Sequence, residues 1–360
     1  MPKKVNIFSL LLSFSCISCI HCSASPLAVS PDDLPLSEPA AQGMDPARLA
    51  EVDRRAGEIE DISSLLVIRN GSIVSEKYYQ GTDQSTAFNV KSVSKSVLSA
   101  LTGIAVREQY IPALDRKVLD YFPEYRDAAL GAGKNEINIR HLLTMTTGLE
   151  WIENGPVVQA WFASEDWVRF IFSLPMANKP GEVFNYTTAG SHLLSALLTR
   201  ATKMSTLDFA DKYLLRPAGI RIDRWDRDPQ GYYFGGAEMY LTARNLGKFG
   251  LLYLNGGFAG GRQVVPADWI KVSTSAQITL NGNPPDQGYG YMWWTRKAGG
   301  VDIFYASGAE GQFLFCIPEL SLVVVTHSSL VNSSDGNRIR RHYFSIFDLL
   351  DNYILPSVTR

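Results

Sequence analysis

Ser92 and Lys95, in the stretch Lys91-Ser-Val-Ser-Lys-Ser-Val-Leu-Ser-Ala-Leu-Thr-Gly-Ile-Ala, stand three residues apart at the head of a largely apolar segment. On a helix that spacing puts both side chains on one face, so the lysine nitrogen reaches the serine hydroxyl. A serine hydroxyl is a poor nucleophile until a base takes its proton, and lysine is such a base only when burial lowers its pKa. Val93, Val97, Leu98, Leu101, Ile104 and Ala105 make the segment apolar nearly all round, the pattern of a helix inside a domain. The chemistry this pair suggests is acylation of Ser92. S-x-x-K is a weak signal alone, since a chain this rich in Ser and Lys yields roughly one by chance.

Two further features could join it. Tyr186 lies in Pro180-Gly-Glu-Val-Phe-Asn-Tyr-Thr-Thr-Ala-Gly, just ahead of a helix expected from near Ser191. Its hydroxyl could move a proton if a cation such as Lys95 lowered its pKa; a packed tyrosine is the plainer alternative. The Gly-rich loop Ala306-Ser-Gly-Ala-Glu-Gly-Gln could present backbone N–H groups to an oxyanion, or be a simple hairpin turn.

The elements that must position these residues are partly legible. Asp45-Pro46 reads as an N-cap followed by the first helical turn. Leu65-Leu-Val-Ile-Arg and Ile73-Val-Ser-Glu-Lys-Tyr-Tyr flank Asn70-Gly71, a two-residue hairpin signal. Residues 110–230 are mostly helical patterns and loops. Tyr289-Gly-Tyr-Met-Trp-Trp, Phe313-Leu-Phe-Cys-Ile and Leu322-Val-Val-Val-Thr return to strand composition, and residues 343–354 read as a closing helix. The expectation is an α+β fold in which the N-terminal hairpin and the C-terminal strands join one antiparallel sheet, flanked by helices, with a helical subdomain inserted.

The chain has 360 residues, 46% hydrophobic and 19% charged, enough for a large core. Its net charge of -2 becomes -4 without Lys3 and Lys4, which gives no basis for a nucleic-acid partner. Residues 1–24 read as a secretory leader: two lysines, an apolar run over 5–20, then Cys22, Ser23 and Ala24. An uncleaved anchor and lipidation at Cys19 are the alternatives. The expected mature protein is periplasmic or secreted, without stable membrane insertion. Cys16, Cys19 and Cys22 fall in the leader, leaving Cys316 alone and no internal disulfide. A linker is expected over 25–40 and the domain over 41–357, its α/β part at about 41–110 and 231–357 and its helical part at about 111–230. His141, His192, His327 and His342 lack metal-ligand spacing and read as structural. Trp151, Trp161 and Trp167 read mainly as core, and Glu238 as a surface carboxylate.

The order of these motifs resembles the β-lactamase-related serine hydrolases, the family of class C β-lactamases, penicillin-recognising DD-peptidases, carboxylesterases and nylon-oligomer hydrolases. The likeness runs from about residue 40 to 355. It includes Ile139-Arg-His-Leu-Leu-Thr-Met-Thr-Thr-Gly-Leu and Leu241-Thr-Ala-Arg-Asn-Leu-Gly-Lys-Phe-Gly-Leu-Leu-Tyr-Leu-Asn-Gly-Gly, outside the catalytic motifs. The resemblance implies a β-lactamase/transpeptidase-like fold. It implies Ser92 as the acylated nucleophile, Lys95 as its partner, Tyr186 as the tyrosine of Y-x-N, and an oxyanion hole from the N–H groups of Ser92 and Ala309. It also places Thr188, Ser307 and Gly308 against the substrate. Whether Lys95 or Tyr186 takes the first proton stays open at this level. Two departures stand out: Thr188 replaces the Asn of Y-x-N, and Ala306 replaces the Lys or His that precedes Ser/Thr-Gly. Both withdraw groups that would hold a β-lactam. The implied activity is hydrolysis of a small ester, amide or peptide-like molecule, with no metal or organic cofactor. A β-lactamase or DD-peptidase, and a non-catalytic module binding peptidoglycan or a partner, are the competing readings.

Overall fold

Asn70 and Gly71 adopt φ of 51° and 82°, the left-handed pair that a two-residue hairpin turn requires, and they join β1 (Ile62–Arg69) to β2 (Ser72–Tyr78). The computed structural model describes residues 33–126, 133–280, 287–329 and 335–359. The expected leader, and the linker up to residue 32, lie outside the described residues. Among the described residues no helix is long and apolar enough to cross a membrane.

The hairpin is one edge of an eight-stranded antiparallel sheet. The remaining strands are β3 (Ile278–Thr279), β4 (Gly288–Tyr289), β5 (Trp294–Ala298), β6 (Val301–Gly308), β7 (Gln312–Ile317) and β8 (Leu322–Ser328), in the order β2-β1-β8-β7-β6-β5-β4-β3. β1 lies against β8 with Leu66 opposite Val325. The expected union of N-terminal hairpin and C-terminal strands is therefore present.

Both faces of the sheet are covered, so its central strands are apolar on both sides rather than alternating. Leu65, Val67, Phe313, Phe315 and Val324 face α1 (Pro46–Glu58) and the C-terminal helix α5 (Gly336–Asp348). Asp45 caps α1, accepting from the N–H groups of Ala47 and Arg48. Leu66, Ile68, Leu314, Cys316, Val323 and Val325 face the larger core, which contains α2 (Ser94–Arg107), α3 (Thr188–Thr202) and α4 (Ala243–Leu254). α2 is buried from Ser94 to Ala105, as its all-round apolar pattern requires. The helices between α2 and α4 pack around α3, with Trp161 at the centre of a ring cluster that takes in Trp151, Trp167, His192 and Phe234.

Three details differ from the reading of the sequence. Tyr289 and Trp294 belong to separate strands, because Met292 turns the chain with φ 60°. Ala306, Ser307 and Gly308 end strand β6 rather than forming a loop; the turn proper is Ala309–Gly311. The closing helix begins at Gly336, capped by Asp335, and residues Leu349–Ile354 continue it with wider π-type turns.

α4 lies close to the sheet because Gly247 and Gly250 face it. A Cβ at Gly250 would stand 2.8 Å from both Leu314 Cδ1 and Val323 Cγ1. Gly250→Val should therefore lower stability by about 1–3 kcal/mol through overpacking. A urea titration checks this: the midpoint falls at unchanged slope, whereas an unchanged midpoint would mean that helix and sheet separate freely.

Candidate active site

The nucleophile candidate sits in a turn that the backbone holds under constraint. Asn89 Oδ1 accepts the Lys91 N–H at 3.0 Å, Lys91 takes φ 50°, and the 3₁₀ turn Lys91–Val93 leads directly into α2. This leaves Ser92 partly exposed while Lys95, one turn on, is 1% exposed. Lys95 Nζ lies 2.7 Å from Ser92 Oγ, 3.2 Å from Thr188 Oγ1 and 2.9 Å from the Gly236 carbonyl oxygen. Three oxygens thus occupy the three donor positions of an ammonium. Tyr186 presents its ring face to the same nitrogen, 5.0 Å from its centroid.

Burial dominates the electrostatics. Desolvation lowers the Lys95 pKa to about 7, against the opposing pull of the Glu153 carboxylate. Tyr186 moves the other way: burial raises it above the usual phenol range, opposed by a hydrogen bond with Ser92 and reinforced by Glu153 and Tyr343. At neutral pH Lys95 is readily neutral and Tyr186 keeps its proton. The condition under which Tyr186 could give up its proton, a pKa lowered by a nearby cation, is not met, because the burial that lowers Lys95 raises Tyr186.

Of the residues picked out in the sequence, Ser92, Lys95, Tyr186 and Thr188 meet at one nitrogen. Thr188, which the resemblance set against the substrate, turns its hydroxyl inward. It is 7% exposed, and its hydroxyl bonds Glu153 on one side and Lys95 on the other, being too short to extend past them. Ala306 is 1% exposed, its methyl packed in the larger core. Ser307 Oγ lies 3.3 Å from the hydroxyl of Tyr343 on α5. Gly308 brings the end of β6 against the nucleophile's turn: a Cβ there would stand 2.4 Å from the Val90 carbonyl oxygen and 3.1 Å from Lys91 Cβ. Ala309 follows, and Glu310 (φ 67°) forms an ion pair with Lys91 at 3.2 Å. Trp161 and Trp167 are core, while the Trp151 indole N–H donates to Glu153 at 2.6 Å. His192 bonds Asp228 at 2.9 Å and His327 bonds Gln312 at 2.8 Å, both wholly buried.

Two contributors escaped the sequence reading. Glu153 also accepts the Thr188 N–H at 3.0 Å and so closes the first turn of α3. Gly236 delivers a carbonyl to Lys95; a Cβ there would meet Thr188 Cγ2 at 2.4 Å. The Gly235-Gly236 pair was a usable sign of close backbone approach. Glu153 carries no periodicity or spacing that ties it to residue 188.

An antiparallel sheet and an inserted helical region that close on a Ser-Lys-Tyr cluster with the lysine buried and the serine partly exposed define the class: the β-lactamase/transpeptidase-like fold. The β-lactamase family profile matches residues 63–346, and the chain belongs to that family. It is 25% identical to the 6-aminohexanoate-dimer hydrolase of Paenarthrobacter ureafaciens, over 78% of this chain and 76% of the relative. It is also 25% identical to esterase EstB of Burkholderia gladioli, over 51% of this chain and 53% of that protein. A solved structure from Bacillus anthracis, provisionally designated a 6-aminohexanoate-dimer hydrolase, superposes with a TM-score of 0.73 at 20% identity, covering 92% of this chain and 90% of that one.

The buried amine opposes folding. Because the native pKa is depressed from 10.5, the unfolded chain binds more protons between pH 7 and 10.5, so the penalty is complete below pH 7 and fades as pH rises towards 10.5. It amounts to about 4 kcal/mol at neutral pH, offset in a Lys95→Met variant by about 1–3 kcal/mol for the stranded Gly236 carbonyl. Lys95→Met should thus be inactive yet more stable than wild type at pH 6, with the gap narrowing by pH 10. Urea unfolding at the two pH values measures it.

Proposed function

We propose that the protein is a serine hydrolase that cleaves an ester or amide through an acyl-enzyme on Ser92. The observation that carries this reading is a lysine nitrogen, 1% exposed and with a pKa near 7, placed 2.7 Å from a partly exposed serine hydroxyl. Such an amine is neutral in useful amount at neutral pH and suits general-base work. In the proposed reaction Lys95 takes the Ser92 proton as Oγ attacks the acyl carbon. The N–H groups of Ser92 and Ala309 receive the oxyanion, supported by the way Gly308 brings the end of β6 against residues 90–91. Collapse expels the alcohol or amine. Tyr186, kept protonated and hydrogen-bonded to Ser92, hands its proton to that leaving group and regains one from Lys95. Water then attacks the acyl-enzyme by the same route in reverse.

Ester and amide substrates are supported by the hydrolase and esterase relatives. Efficient β-lactam turnover is not part of the proposal. Ala306 offers no cation to a lactam carboxylate, and the Thr188 hydroxyl is engaged inward. A missing charge-assisted hydrogen bond costs about 1.5–3 kcal/mol, roughly ten- to a hundred-fold in binding. The leader-like residues 1–24 support placing this chemistry outside the cytoplasm.

A fluorophosphonate probe should modify Ser92, located by mass spectrometry, and p-nitrophenyl butyrate should be hydrolysed with a higher kcat/KM than nitrocefin. An adduct elsewhere, or full activity in Ser92→Ala, refutes the nucleophile; nitrocefin as the better substrate refutes the ester preference.

The pH dependence is separately decisive. With neutral Lys95 as base, kcat/KM for the ester should rise with pH through an acidic limb near 7 and hold a plateau above it, since Tyr186 stays protonated well into the alkaline range. A curve that instead rises only above pH 9 would assign the base to the tyrosine.

A further inference from the structure

The hydrogen-bond directions around Lys95 are fixed by one residue that makes no contact with it. Glu153 Oε2 accepts the Thr188 N–H at 3.0 Å and the Trp151 indole N–H at 2.6 Å, and Oε1 accepts the Thr188 hydroxyl. A carboxylate only accepts, so the single hydroxyl proton of Thr188 is committed to Glu153 and its lone pairs face Lys95. The Gly236 carbonyl likewise only accepts. A neutral amine has two N–H bonds and one lone pair. Both N–H bonds are claimed, by Thr188 Oγ1 at 3.2 Å and Gly236 O at 2.9 Å. The third tetrahedral position, the lone pair, is left pointing at Ser92 Oγ, 2.7 Å away.

We propose that Glu153 is a positioning residue that, through the Thr188 hydroxyl, aims the Lys95 lone pair at the Ser92 proton. This rests on the reading of Lys95 as the base for Ser92. Without the carboxylate, the Thr188 proton can turn towards Lys95 and occupy the lone pair, a competing geometry in which the amine cannot accept from Ser92. The same carboxylate acts through space. Among the described residues, Glu153 and the Tyr186 phenol are the titratable groups facing Lys95, while the turn before α2 offers it the Ser92 hydroxyl and the 235–237 segment a carbonyl. Glu153 favours the charged amine, so its removal displaces the Lys95 titration downward.

Glu153 therefore carries two opposed effects that one variant reads together. In Glu153→Gln the acylation rate constant, from the p-nitrophenol burst with p-nitrophenyl acetate, should fall about ten- to a hundred-fold on the pH plateau with little change in KM. The acidic limb should move to lower pH. A residue that merely braced the loop would lower the whole curve and leave the limb where it was. Thr188→Val should give a similar fall in acylation with the carboxylate still present, and Thr188→Ser, which restores the hydroxyl, should recover most of it. Should Glu153→Gln fail to fold, the Thr188 pair decides. Plateau rates within about twofold of wild type in Glu153→Gln or Thr188→Val, or an unmoved limb in Glu153→Gln, would overturn the inference. If wild-type Ser92 itself takes no fluorophosphonate, the hydrolase reading falls as well. A labelled wild type beside a Glu153→Gln variant of unchanged rate and limb overturns the inference alone.

Discussion

The burial of the Lys95 amine sets the terms for everything around it. Burial lowers the Lys95 pKa to about 7, and the same burial demands that each of its hydrogens find an oxygen. Those oxygens come from three distant parts of the chain: the turn before α2, the start of α3 and the Gly235-Gly236 segment. The helix that bears Lys95 must itself be interior, which is why α2 is buried from Ser94 to Ala105. The destabilisation that results is the physical origin of the proposed reactivity.

Close approach of backbones is the second requirement, and it follows from the first. Gly236 brings a carbonyl to the amine, Gly308 brings the end of β6 to the turn that holds Ser92, and Gly247 and Gly250 seat α4 on the sheet. At each of these positions a methyl group would meet atoms closer than van der Waals contact. The Lys91–Glu310 ion pair then joins the two turns, each of which contains a non-glycine residue in the left-handed region. Its side chains are about a quarter to a third exposed, so its strength depends on salt.

How far the sequence revealed this depended on whether the signal was local. Asn70-Gly71 specifies its turn, and the Ser92–Lys95 spacing specifies a shared face, because both depend on residues within four positions of one another. Apolar runs identified β7 and β8. The strand identity of Ala306 to Gly308 was hidden because small residues resemble a loop when their pairing with Gln312 to Leu314 is unseen. The inward bonding of Thr188 was invisible because nothing near it in sequence announces Glu153, thirty-five positions earlier. The direction of the Tyr186 shift was open for a related reason: charge proximity was visible in the motif, whereas depth was not.

The pairing of β1 with β8 has a consequence for timing. Ser63 and Ser329 hydrogen-bond across 266 positions, and among the described strands of this sheet β1 with β8 is the one pairing between strands that are not consecutive in sequence. Such non-local order makes folding slow, because loop closure precedes any reward. Ser92 and Lys95 emerge early from a ribosome, but the sheet that backs them cannot close until the residues of β8 have followed. For most of its synthesis the chain therefore carries Ser92 and Lys95 as solvated side chains, and the cluster proposed to react is complete only with the last strand.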